Sequence, residues 1–109
     1  MSVRLHAIHG LVAARAKRAV PAIARLLADA SGGIRVNAVM ALIQLDAVAS
    51  AKALIAATRD EKWYVRQHAA HALGALCIRR SRPALRRLAD DPRLAVRSAA
   101  AKSLAILAR

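Results

Sequence analysis

Aromatic residues are almost absent: they make up 2% of the 109 residues, as Trp63 and Tyr64 side by side. That excludes a run of base-stacking platforms along a nucleic-acid strand. It also leaves core packing to alanine and branched aliphatics, which dominate a hydrophobic content of 58%. Small side chains let helices approach closely, and alanine has the highest helix propensity, so an all-helical fold is favoured before any pattern is read. A single cysteine, Cys77, rules out an intrachain disulfide framework and fits a reducing compartment. The longest charge-free apolar run, VNAVMALIQL at 36–45, is too short to cross a bilayer, and MSVRLHAIHG has no apolar core of signal-peptide length. These features point to a cytoplasmic protein with no membrane partner. Acids are few as well: 6 Asp+Glu stand against 19 Lys+Arg, a formal net charge of +13. Such an excess favours a polyanion or an acidic protein surface as partner.

What the chain does have is a repeat. Four segments resemble one another: VRLHAIHGLVA at 3–13, IRVNAVMALIQL at 34–45, VRQHAAHALGAL at 65–76 and VRSAAAKSLAIL at 96–107. Their arginines, Arg4, Arg35, Arg66 and Arg97, are each 31 residues apart, and the same step relates Ala7, Ala38, Ala69 and Ala100, and Leu11, Leu42, Leu73 and Leu104. Asp29, Asp60 and Asp91 keep the period, as do Ile23, Leu54 and Leu85. A repeat of this length marks a solenoid, in which stacked units share one continuous core.

Each unit reads as two helices. The first, helix A, has the helical spacing of Val65, Ala69, Leu73 and Leu76. The second, helix B, is shorter, as in PAIARLLAD at 21–29 and PALRRLADD at 83–91, with proline in the first turn where a missing N–H costs little. Asp60 and Asp91 read as N-caps of the next A helix. The expected order is A-B-A-B-A-B-A: seven helices in one domain over 1–109. The repeats run over about 3–33, 34–64 and 65–95, with a half-repeat at 96–109.

With its VR dipeptide (IR in the second unit), its P-A-[IL]-x-x-L pattern in helix B and an Asp six residues before Arg35, Arg66 and Arg97, though none before Arg4, the chain resembles the HEAT-like repeat superfamily. It is most similar to the short, 31-residue units called phycobilisome-lyase-type HEAT-like repeats. The second unit departs from the pattern, with Lys52 in place of proline and Ala57 in place of leucine. The resemblance implies an all-α solenoid of about three and a half two-helix repeats, with A helices on the convex layer and B helices on the concave one. It also implies a structural ladder between repeats, which here would comprise Asp29, Arg35, Asp60, Arg66, Asp91 and Arg97.

The remaining cations fall on helix B. Opposite its packing positions, each unit places two cations seven residues apart, on one helical face: Arg18 and Arg25, Lys52 and Arg59, Arg80 and Arg87. Arg79, Arg82 and Arg86 thicken the stripe at the third unit. With neighbouring helices about 8–10 Å apart, such a stripe suits an acidic partner. A solvated face that keeps the protein in solution is the competing reading.

Catalytic chemistry is not legible: no Ser/His/Asp set and no Gly-rich loop is present, and Asp46, Glu61 and Asp90 fall at helix ends. His68 and His71 share a helix face but supply two ligands at most, fewer than a metal site needs. They remain weak metal candidates, outward-facing, and no cofactor is expected. The chain starts and stops on A helices, and such uncapped ends point to self-association as a homodimer. The leading expectation is a non-catalytic scaffold binding an acidic macromolecule, protein rather than nucleic acid, through its B-helix face. A sequence-independent nucleic-acid backbone binder and an accessory subunit or lyase acting on a cofactor-bearing protein are the alternatives.

Overall fold

The computed structural model describes residues 17–109. The first A helix, expected at 3–13, lies outside the described residues, together with His6 and His9. Six α-helices follow in order: α1 (Val20–Arg25), α2 (Gly32–Gln44), α3 (Ala51–Ala57), α4 (Trp63–Ala75), α5 (Arg82–Leu88) and α6 (Leu94–Leu107). Helices α1, α3 and α5 are the B helices, and α2, α4 and α6 are the A helices. The period survives to the residue: B helices begin at 20, 51 and 82, and A helices at 32, 63 and 94. A single 3-10 turn precedes each B helix, at Lys17–Ala19, Val48–Ser50 and Arg79–Ser81.

The helices stack because one pair cannot bury both of its apolar faces. Helix α2 packs on α4 and α4 on α6, while each B helix packs on the A helix that follows it. The core runs through Ile23, Ile34, Leu42, Leu54, Leu73, Leu85, Val96 and Leu107, all buried. Burial of each such side chain is worth about 1.5–3 kcal/mol. Helices α4 and α6 approach closely at Gly74. A Cβ placed on Gly74 would lie 2.8 Å from the Cα of Ser103. The buried Ser103 hydroxyl donates to the Ala70 carbonyl at 2.6 Å. Glycine inside a helix costs about 1 kcal/mol relative to alanine, and here it permits that approach.

Helices α2 and α4 end in the same way. The capping residues Leu45 and Leu76 are followed by Asp46 and Cys77, whose φ values are 52° and 54°. The Asp46 N–H donates to the Ile43 carbonyl and the Ala47 N–H to Leu42, each at 3.0 Å. Cys77 and Ile78 do the same toward Gly74 and Leu73, at 3.0 and 2.9 Å. This is a Schellman motif with a side chain where glycine is usual.

The starts of the A helices correct one expectation. The N-cap residues are Ser31, Lys62 and Arg93 rather than the aspartates two residues earlier. Each aspartate instead accepts the N–H two residues on, with Asp29 to Ser31 at 2.9 Å, Asp60 to Lys62 at 2.9 Å and Asp91 to Arg93 at 3.0 Å. This Asx turn presets the chain for the helix and leaves carboxylate oxygen available for an arginine.

Candidate functional site

The opposite-side columns of the B helices are exposed throughout. Arg18, Pro21, Arg25 and Ala28, then Ala49, Lys52, Ala56 and Arg59, then Arg80, Pro83, Arg87 and Asp90 are all at the surface. The six cations of the expected stripe therefore lie on the outward side of three successive helices. Arg86 is exposed too. Arg79 and Arg82 are differently placed. Their guanidinium groups donate to the Leu107 carbonyl at 3.2 and 2.7 Å. A helix C-terminus carries partial negative charge and unpaired carbonyls, so these two arginines cap α6, Arg79 while still exposed and Arg82 half-buried.

Shallow grooves run between successive B helices and repeat with the chain. Near the C-terminal ends, the α1/α3 groove is lined by Leu27, Ala28, Ala53 and Ala56 with Arg25. The matching α3/α5 groove is lined by Thr58, Arg59, Arg87, Leu88 and Asp90, next to Arg66 and Asp91. Near the N-terminal ends, one groove holds Arg18, Pro21, Leu45 and Val48, and the next holds Val48, Cys77, Arg79 and Arg80. Arg87 donates to the Thr58 hydroxyl at 2.8 Å, and the hydroxyl in turn donates to the Ile55 carbonyl at 2.6 Å. Burial, and then the charge of Arg59, push the Arg87 guanidinium below its ordinary value. One sign of this contact is legible along the repeat: Thr58 is the polar member of a column otherwise filled by Leu27 and Ala89.

The aspartates and arginines of the A helices are brought together with a definite register. Arg35 donates to the carbonyl of Asp29, six residues before it, at 2.7 Å. It also grips the Asp60 carboxylate, 25 residues after it, at 2.7 and 3.0 Å. Arg66 repeats this, donating to the Asp60 carbonyl at 2.8 Å and to the Asp91 carboxylate at 2.8 and 3.2 Å. Arg97 donates to the Asp91 carbonyl at 2.8 Å. The six-residue spacing is thus met through the backbone, and the two-point ion pair reaches the following aspartate. The Asp60 hydrogen bond raises the Arg35 guanidinium above its usual value, against the opposing effect of burial. Burial would raise the Asp91 carboxyl, but its bonds to Arg66 and the Arg93 N–H, with the charges of Arg66 and Arg97, outweigh that and hold it below the usual carboxylate value.

His68 is half-buried and its Nδ1 lies 2.7 Å from the Tyr64 carbonyl, which fixes that nitrogen as a donor; His71 is exposed. No group of three metal-ligating side chains occurs among the described residues. Trp63 packs against the core with the Arg93 guanidinium 5.3 Å from its ring centre, a cation–π contact at the corner between units. Among the described residues no helix is long and apolar enough to cross a membrane.

The family model for HEAT repeats matches residues 2–74 and 51–109. A comparison with curated proteins gives no match. Among solved structures, the chain is similar to one from the complex of CpcE and CpcF of phycocyanin lyase from Nostoc sp. PCC7120, at 21% identity and a TM-score of 0.64. That similarity covers 98% of this chain and 60% of the other, so the present chain spans about three fifths of its neighbour's length. The stacked helix pairs, the repeat and a family match over nearly the whole length agree: the chain belongs to the HEAT-repeat family.

Proposed function

We propose that this HEAT-repeat chain is a non-catalytic scaffold that binds an acidic protein through the outward face of its B helices. The observation that carries the reading is the exposure of Arg18, Arg25, Lys52, Arg59, Arg80 and Arg87, one pair in each of the three units, while the A-helix arginines Arg35 and Arg66 are consumed by aspartates. Repeated charge exposed at the surface is charge available to a partner, even where, as at Arg87, it also bonds to the scaffold. A protein is favoured over nucleic acid because the B-helix face carries no aromatic platform. Its similarity to a chain solved in complex with another protein supports the same choice. The resemblance implies B helices on the concave side, and a partner segment lying there would meet several units at once.

Fluorescence anisotropy tests this with labelled poly-L-glutamate and labelled duplex DNA over a range of salt. The proposal expects polyglutamate to bind at low salt and to be released as salt rises. A nucleic-acid binder contacting about four to six phosphates would instead show a log–log salt slope of about −4 to −5 on DNA. Failure of polyglutamate to bind at low salt overturns the proposal.

A further inference from the structure

The scaffold repeats its columns, so a place where adjacent grooves differ is a place the scaffold does not dictate. The C-terminal ends of the B helices are such a place. In the α1/α3 groove the facing residues are Leu27, Ala28 and Ala56. Thirty-one positions on, the α3/α5 groove has Thr58, Arg59 and Arg87 in the same columns. One groove is mainly apolar, with Arg25 and Asp60 also in its lining, and the next brings two arginines together. Like charges this close repel, and Arg87 feels the charge of Arg59. Two other carboxylates at this groove are committed, Asp60 to Arg35 and Asp91 to Arg66, which leaves Asp90 on the rim. A ligand oxyanion between Arg59 and Arg87 would relieve the repulsion and accept charge-assisted hydrogen bonds from both.

The two grooves are separated by one helix spacing, about 8–10 Å. A segment in the extended polyproline II conformation advances about 3.1 Å per residue and turns once in about three residues, so side chains three apart lie on one face and bridge them. We infer that this pair of grooves recognises an extended acidic segment of a partner protein, with an apolar side chain seated over Ala28 and Ala56 and a carboxylate three residues away held by Arg59 and Arg87. This rests on the acidic-partner reading above and names what that face selects: the order of apolar and acidic residues, beyond acidity alone. The B-helix Arg18 and Arg80 contribute general attraction, and Arg59 and Arg87 fix the register.

The test is a ¹⁵N–¹H NMR titration of the whole chain with the acetylated, amidated peptide Gly-Ser-Leu-Ser-Gly-Glu-Ser-Gly, whose Leu and Glu are three apart. Amide shifts are expected at Leu27, Ala28, Ala56, Arg59 and Arg87. Replacing Glu by Gln in the peptide should weaken binding at least tenfold, and replacing Leu by Ser about three- to tenfold. Because Arg87 also holds Thr58, the decisive variant is Arg59→Glu, which should lose the Glu peptide and gain a peptide with Lys in its place. Equal binding of the Glu and Gln peptides, or no reversal by Arg59→Glu, overturns the inference. Polyglutamate binding without any shift from the short peptide overturns this pair of grooves alone, whereas loss of both overturns the acidic-partner reading too.

Discussion

Replacing Arg66 by alanine is the sharpest test of how the repeats are held in register. The guanidinium makes two bonds to the Asp91 carboxylate, at 2.8 and 3.2 Å, and one each to the carbonyls of Asp60 at 2.8 Å and Glu61 at 3.2 Å. Asp91 is 8% exposed, so the substitution leaves a nearly buried carboxylate. Breaking a buried pair from one side costs about 3–5 kcal/mol. The Arg66 side chain retains some solvent contact, and the Arg93 N–H and the Arg97 charge remain near Asp91, which lowers the expected loss to about 2–3 kcal/mol. For a domain of this size each kcal/mol moves Tm by about 4–8 °C, so thermal unfolding followed by circular dichroism should show a fall of about 10–20 °C. The double variant Arg66→Met with Asp91→Asn should recover most of it, because no charge is then left unpaired. The pH dependence supplies an independent sign. In the native chain Asp91 titrates below its unfolded value, so its stabilisation is present above the usual carboxylate range and is lost as pH falls through the folded pKa. Without Arg66, burial dominates and raises the carboxyl, and protonation then favours the folded state. The gap in Tm between the two proteins should therefore narrow from pH 6 to pH 3. A fall of less than about 3 °C at neutral pH, or a gap that stays constant with pH, would refute the reasoning.

Three further outcomes follow from the local geometry. Cys77→Gly should stabilise the chain by about 0.5–1 kcal/mol, seen as a higher Tm, because Cys77 holds a φ of 54° that a side chain resists. Asp46→Gly at the equivalent position should gain less, since aspartate tolerates that region better. Gly74→Ala should cost about 1–3 kcal/mol by chemical denaturation, because the new Cβ would meet the Ser103 Cβ at 2.6 Å and its Cα at 2.8 Å.

Much of this architecture could be read from the sequence. The 31-residue step alone places the starts of α1, α3 and α5 and of α2, α4 and α6, because each unit repeats the same local instructions. The missing pieces are those where backbone conformation or distant contacts decide. Asp60 reads as an N-cap because capping residues and Asx-turn residues are the same types; only the register of the N–H bond separates the two. The left-handed residues Asp46 and Cys77 carry no glycine to announce them, although their 31-residue separation was a signal. Arg79 and Arg82 read as members of a basic face, but their reach to the Leu107 carbonyl depends on where α6 ends in space.

The central claim is that the exposed B-helix cations are a binding surface. It is tested most directly by measuring poly-L-glutamate affinity at low salt for the native chain and for the variant carrying Arg18→Ala, Arg25→Ala, Arg80→Ala and Arg87→Ala. The control is a variant with four cations removed outside the stripe: Lys62, Arg93, Lys102 and Arg109, each to alanine. With both variants folded by circular dichroism, the account predicts at least a tenfold loss for the B-helix variant and about threefold or less for the control, because exposed charges far from the contact are screened. Equal losses in the two variants would show that net charge alone attracts the polymer, and would contradict the account.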